Sequence, residues 1–113
     1  VSDEHPYSLA FEKDGIVYVS GAAAIDADHN PVLGDRECIE AAIEAVRRRL
    51  EPFGLGLEHV VKTTFFVTDL ALRDETNRQY VERFAEPRPA RTFVEVSGIP
   101  YGARVALEAV AHR

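Results

Sequence analysis

Val60-Val61-Lys62-Thr63-Thr64-Phe65-Phe66-Val67-Thr68 decides the fold class. This β-branched and aromatic run reads as a strand. Its mixed apolar pattern predicts a central strand covered on both faces. Helical patterns flank it. Upstream, Cys38, Ile39, Ala42, Ile43, Val46, Leu50 and Phe53 recur at steps of three and four, the period of an amphipathic helix. Asp35 is placed to cap that helix, and Gly54 and Gly56 to end it. Downstream, a second helix is predicted over about Leu72 to Phe84, with Tyr80, Val81 and Phe84 on it. Glu86-Pro87-Arg88-Pro89 breaks it.

The two ends of the chain add strands. Ser8 to Lys13 and Ile16 to Ser20 read as a pair joined by Asp14-Gly15, a two-residue hairpin signal. Gly21 follows, where the chain must bend or let something approach closely. Ala22 to Ile25 can extend the strand, and Asp26 to Pro31 is turn chemistry. Arg91 to Ser97 alternates, with Arg91, Phe93 and Glu95 on one face and Thr92, Val94 and Val96 on the other. A loop, Gly98 to Gly102, leads to a last strand, Val105 to His112. The order β-β-(β)-α-β-α-β-β predicts one α+β domain over residues 1–113, a mixed sheet with two helices on one face. The other face of that sheet is left without helices. Its apolar strands predict an oligomer that covers it.

Composition narrows the function classes. The formal net charge is −6, whereas proteins that grip nucleic acid present a basic stripe. The densest basic run, Arg47-Arg48-Arg49, is bracketed by Glu44 and Glu51 and reads as a solvated helix face. The single cysteine, Cys38, permits no internal disulfide and no paired-cysteine zinc site, and its apolar neighbours make it core. Asp26, Asp28 and His29 match no calcium loop, so no metal is expected. No run approaches the roughly 18 apolar residues of a membrane span. The segment Val1 to Pro6 reads as a loose polar arm, the wrong character for a secretory signal. The expected setting is the cytoplasm, with neither membrane nor nucleic acid as partner.

The four histidines show no ligand spacing, and neither a serine-nucleophile elbow nor a phosphate-cradling glycine loop is present. Arg91 stands apart. It opens a strand directly after a proline-rich turn and shares a face with Phe93. Its planar fork suits a carboxylate, gripped by two parallel bonds. Residue chemistry leaves two roles open: anchor for a small carboxylate ligand, or ion-pair partner of a glutamate at the sheet edge.

Pro89-Ala90-Arg91-Thr92-Phe93-Val94-Glu95-Val96, then Ile99-Pro100, then Leu107-Glu108-Ala109-Val110-Ala111 resembles the Rid family, also called YjgF, reactive intermediate deaminases or L-PSP. Pro6-Tyr7-Ser8, Val19-Ser20-Gly21, Val61 to Thr64, Phe66 to Asp69, and Asn77 with Tyr80 and Phe84 agree in order and spacing, so the likeness spans nearly the whole chain. The resemblance implies a chorismate-mutase-like α+β fold that forms a homotrimer, with sheets facing inward and ligand clefts between subunits. It also implies hydrolysis of reactive enamines and imines of amino acids to 2-keto acids and ammonia, without a cofactor. Arg91 would hold the substrate carboxylate, helped by the backbone at Phe93. Tyr7, Ser20 and Asn77 would line the cleft, Tyr7 and Asn77 from across the interface. The L-PSP name carries a ribonuclease activity, which the acidic balance disfavours.

The departures from the family pattern fall in the cleft. A glutamate that positions water in family deaminases aligns with Ala106, which has no group to hold one. The family cysteine on the arginine strand is Phe93, and its Gln and Pro after Ser-Gly fall within Ala22-Ala23-Ala24. Asn77, Tyr7 or backbone groups are left to place the water. Glu95 shares the Arg91 face but matches a family glutamate read here as structural. The carboxylate anchor is kept, so two readings follow: a deaminase of altered range, or a carboxylate binder that does not deaminate.

Overall fold

A computed structural model describes residues 5–113. The arm expected over the first residues lies mostly outside them. β1 (Ala10–Lys13) and β2 (Ile16–Ala23) form the hairpin, and Asp14 and Gly15 carry φ of 54° and 81°. Two successive left-handed residues are what a tight hairpin turn requires, and Asp-Gly supplies them at low steric cost. β2 then carries one extra residue. Val19 pairs with Ala109 and Ala22 with Leu107, so Ser20 and Gly21 form a bulge.

α1 (Asp35–Leu50) buries Cys38, Ile39, Ala42, Ile43, Val46 and Leu50, the predicted stripe. Phe53 closes a short 3-10 turn beyond it, and Gly54, at φ 73°, ends the segment. Asp35 does not cap the helix. Gly34 holds the cap position, and Asp35 Oδ1 instead accepts from Arg104 Nη1 at 2.6 Å. β3 (Val60–Val67), α2 (Arg73–Arg83), β4 (Ala90–Glu95) and β5 (Val105–His112) complete the fold.

The strand order is β1-β2-β5-β3-β4, with β3 and β4 parallel and every other pair antiparallel. β3 is an interior strand, as expected, paired with β5 and β4, and β5 takes the middle place because it inserts between β2 and β3. The expectation that β3 is covered on both faces does not hold. Thr63, Phe65 and Val67 are buried beneath the helices, while Lys62, Thr64 and Phe66 on the other face are half-covered. Its β-branched content reflects strand preference rather than two-sided burial.

Both helices pack on one face, as α1 meets β2, β5 and α2. The core lies in that layer, where Val17, Val19, Val105 and Leu107 cluster with the buried α1 residues and Phe65 packs its ring near Tyr80 of α2. On the open face, Phe11, Tyr18 and Val94 are exposed, and Lys62 Nζ donates to Thr92 Oγ1 at 2.9 Å. Among the described residues, no helix is long and apolar enough to cross a membrane.

Candidate functional site

Arg91 is the second residue of edge strand β4 and pairs in register with buried Thr63. Its side chain therefore projects to the helix side. The guanidinium carbon lies 5.1 Å from the Tyr80 ring centre and 5.6 Å from that of Phe93, within cation–π range of both. Arg91 Nη2 donates to Asn77 Oδ1 at 2.6 Å. Tyr80 is fixed in turn: its hydroxyl lies 2.7 Å from Thr63 Oγ1 and donates to Pro89 O at 3.1 Å. α2 supplies both Asn77 and Tyr80 from adjacent turns.

The alternative of a glutamate partner does not hold. Among the described residues no carboxylate comes within ion-pair distance of Arg91. Glu95 Oε1 accepts from Leu70 N at 3.1 Å and braces the turn before α2, the structural role read for it. Burial lowers the Arg91 pKa, Tyr80 counteracts this, and the charge of Arg73 adds to it. The result is a half-buried cation with two aromatic walls, one amide contact and no described counter-charge.

Tyr7, Ser20 and Ala106 lie elsewhere. Ser20 Oγ donates to Ser8 O at 2.7 Å, which ties the N-terminal segment to the β2 bulge. Tyr7 is exposed and packs its ring 5.0 Å from that of His5. Ala106 pairs with Ala23 on one side and Phe66 on the other, on the open face. Tyr7, Gly21, Ala23 and Ala106 line an open cavity of about 920 Å³. A Cβ placed on Gly21 would meet no atom within 4 Å, so the cavity wall there is bare backbone.

The structure thus gathers Arg91, Asn77 and Phe93 in one place and Tyr7, Ser20 and Ala106 in another. β4 and β2 stand three strand spacings apart, roughly 14 Å, and the two groups use opposite faces of the sheet. Asn77 was expected from across an interface, yet it sits beside Arg91 in the same chain.

Residues 1–113 match the sequence model of the family described as Endoribonuclease L-PSP. The chain belongs to this family, the Rid/YjgF/L-PSP proteins. A RutC family protein of Pyrococcus abyssi is 36% identical over 110 residues, covering 96% of this chain and 87% of that protein. The mouse protein named 2-iminobutanoate/2-iminopropanoate deaminase is 32% identical over 108 residues, covering 94% and 80%. RidA from the Antarctic bacterium Psychrobacter sp. PAMC 21119 superposes with a TM-score of 0.90 at 29% identity, over 99% of this chain and 92% of that one. The YjgF gene product of E. coli gives a TM-score of 0.86 at 27% identity, over 97% and 90%. The α+β sheet with two helices is the architecture of these Rid structures.

Two parts of the site escaped the sequence reading. Tyr80 was placed on a helix but not beneath Arg91; only the β3–β4 register brings them together. Arg49 was grouped with a solvated run. Its neighbours three and four residues away are Val46, Ala45, Pro52 and Phe53, and the absence of a carboxylate there was the available signal.

Proposed function

We propose that this Rid-family chain hydrolyses imines and enamines of amino acids to 2-keto acids and ammonia, in clefts between the subunits of a homotrimer. The observation that carries the reading is Arg91: a half-buried guanidinium, oriented by Tyr80, Phe93 and Asn77, with no described carboxylate partner. The name of the mouse relative supports the reaction class. The separation of the Arg91 group from the Tyr7–Ala106 wall favours a shared cleft, one copy providing the arginine and its neighbour the wall. The apolar residues on the open sheet face supply a surface for such packing. A cytoplasmic setting suits Cys38, a free thiol sealed in the core.

The chemistry demands little of the protein. Arg91 takes the substrate carboxylate in a forked pair, with the Phe93 backbone beside it, and fixes the C=N bond. Water adds its oxygen to the imine carbon while the C=N π pair moves to nitrogen, which takes up a proton. The carbinolamine loses its hydroxyl proton as the C–N bond breaks, leaving keto acid and ammonia. With Asn77 Oδ1 held by Arg91, its Nδ2 remains a donor that can hold the water. Tyr7 offers a hydroxyl from the opposite wall, and Ser20 shapes that wall through its bond to Ser8.

Ala106 favours a second reading, a binder of small carboxylates that does not deaminate. Keto-acid release from freshly generated 2-iminobutanoate separates the two. Acceleration over buffer that Arg91→Ala abolishes is the expected result. A folded protein that gives no acceleration, yet is stabilised by 2-ketobutyrate only when Arg91 is present, establishes the binder. Light scattering tests the trimer; a single-chain mass at micromolar concentration overturns the shared cleft.

A further inference from the structure

The basic run at the end of α1 is divided in its surroundings. Arg47 is consumed by two carboxylates, Glu44 at 2.6 Å and Glu51 at 3.0 Å. Among the described residues, neither Arg48 nor Arg49 has a carboxylate within ion-pair distance. Both line the cavity that Tyr7, Gly21 and Ala106 share. Arg49 is part-buried, and its Nη1 donates to Ser20 O at 2.9 Å. Every buried side-chain nitrogen among the described residues has a partner. Among the described residues the other guanidinium nitrogens of Arg49 make no hydrogen bond, and Arg49 lines the cavity.

Arg49 is the part-buried member of the pair, whereas Arg48 is exposed at the cavity rim. Burial lowers the Arg49 pKa, Tyr7 acts against it, and the neighbouring charge of Arg48 adds to it. The carbonyl end of α1 welcomes positive charge, but that accounts for neither the burial nor the placing of two like charges on one cavity wall. The overall charge is −6; Asp26 also lines the cavity, so its lining carries two guanidiniums against one carboxylate, and that carboxylate pairs with neither. Pro52, Phe53 and Tyr7 give the same wall an apolar surface for the body of a ligand.

We infer that Arg48 and Arg49 form a second oxyanion site, separate from Arg91, that binds the carboxylate or phosphate group of a small ligand in this cavity. Two guanidiniums present several N–H donors to one group of oxygens, the pattern that suits either chemistry. The site is built from residues other than Arg91, which in the same chain lies at the opposite edge of the sheet; in the shared cleft proposed above a neighbouring copy's Arg91 would face this wall, so comparison with Arg91→Ala keeps the two sites apart.

The test is calorimetric titration of the full chain, at constant ionic strength, with succinate and with inorganic phosphate. Wild type, Arg91→Ala, Arg48→Ala and Arg49→Lys are compared. Both wild type and Arg91→Ala are expected to bind at least one of the two anions. Arg48→Ala and Arg49→Lys are each expected to weaken that binding by about tenfold, the scale of one charge-assisted bond. Succinate binding alone assigns the site to carboxylates, and phosphate binding alone assigns it to phosphates. Arg48→Ala leaves the Arg49–Ser20 bond in place, so it remains informative if Arg49→Lys folds poorly. Binding unchanged in Arg48→Ala, or no binding of either anion by wild type, overturns the site. Binding lost only in Arg91→Ala also overturns it, while leaving the carboxylate anchor intact. A short RNA that binds far more tightly than phosphate and is cleaved overturns the small-ligand assignment.

Discussion

The guanidinium of Arg91 rests 5.1 Å from the centre of the Tyr80 ring, and the hydroxyl of that ring lies 2.7 Å from Thr63 Oγ1 in the core. Arginine, ring and core threonine form one continuous support. Tyr80→Phe keeps the ring but leaves the fully buried Thr63 hydroxyl without that partner. It should destabilise the fold by about 1–3 kcal/mol and leave carboxylate affinity nearly unchanged. Tyr80→Leu should weaken both. Urea denaturation and ligand titration on the two variants check this.

Arg91→Lys keeps a charge but loses the fork and the stacking surface. Carboxylate affinity should fall by about tenfold or more. Stability should change by less than about 0.5 kcal/mol, because no described ion pair is broken. Calorimetric binding beside a thermal melt reads both quantities.

Ala106→Glu would place a carboxylate on the cavity wall where family deaminases carry one. Ala106 is half-covered on the open face, so the added charge keeps access to water. Keto-acid formation from 2-iminobutanoate should rise, by up to about a hundredfold if the carboxylate acts on the attacking water. A steady-state assay against wild type gives the answer; a fall in rate counts against a water-placing role for this position.

Glu95→Ala should behave differently although Glu95 follows Arg91 by four residues on the same strand. Its carboxylate braces Leu70 N. Losing a bond of this capping type costs about 0.5–2 kcal/mol. The imine hydrolysis rate at a temperature where the variant is folded should stay within about twofold of wild type, a shift under 0.5 kcal/mol in the barrier.

Glu44 ties α1 to α2. It accepts from Arg47 in its own helix and from Arg83 in the next, at 2.6 and 3.0 Å. The Arg47 bond lowers its pKa most, burial opposes that, and Arg83 lowers it further. A depressed folded pKa means the stabilisation is complete above the unfolded value and is lost as pH falls through the folded one. Glu44→Gln should therefore reduce stability at neutral pH and converge with wild type as pH falls through the depressed folded pKa of Glu44. Side-chain exposure of 34% admits solvent screening and keeps the effect to about 1 kcal/mol or less. Thermal melts across pH measure it.

Local chemistry was legible in the sequence and long-range pairing was not. Asp14-Gly15 announces its turn, the α1 stripe its buried face, and Val105 to His112 its strand, because each depends on neighbours a few residues away. The sheet order does not. β5 becomes the centre by pairing with β2 from some ninety residues earlier, and no short-range pattern encodes that. The same limit hid the site's supports. Asp35 looks like a cap until Arg104, distant in sequence, takes its carboxylate. Arg91 was visible because a proline turn precedes it, whereas Tyr80 beneath it required the β3–β4 register.

The bulge at Ser20 and Gly21 acts as a phase shift in β2. Before it, odd-numbered Val17 and Val19 face the core; after it, even-numbered Ala22 and Ala24 do. That one added residue sends Ala23 to the open side against Ala106 and keeps the Ser20 carbonyl within reach of Arg49. Deleting a residue here would invert the inside and outside of the strand from Ala22 onward. The cavity wall is thus aligned by chain length rather than by any side chain, and a screen of point substitutions would pass over the element that sets it.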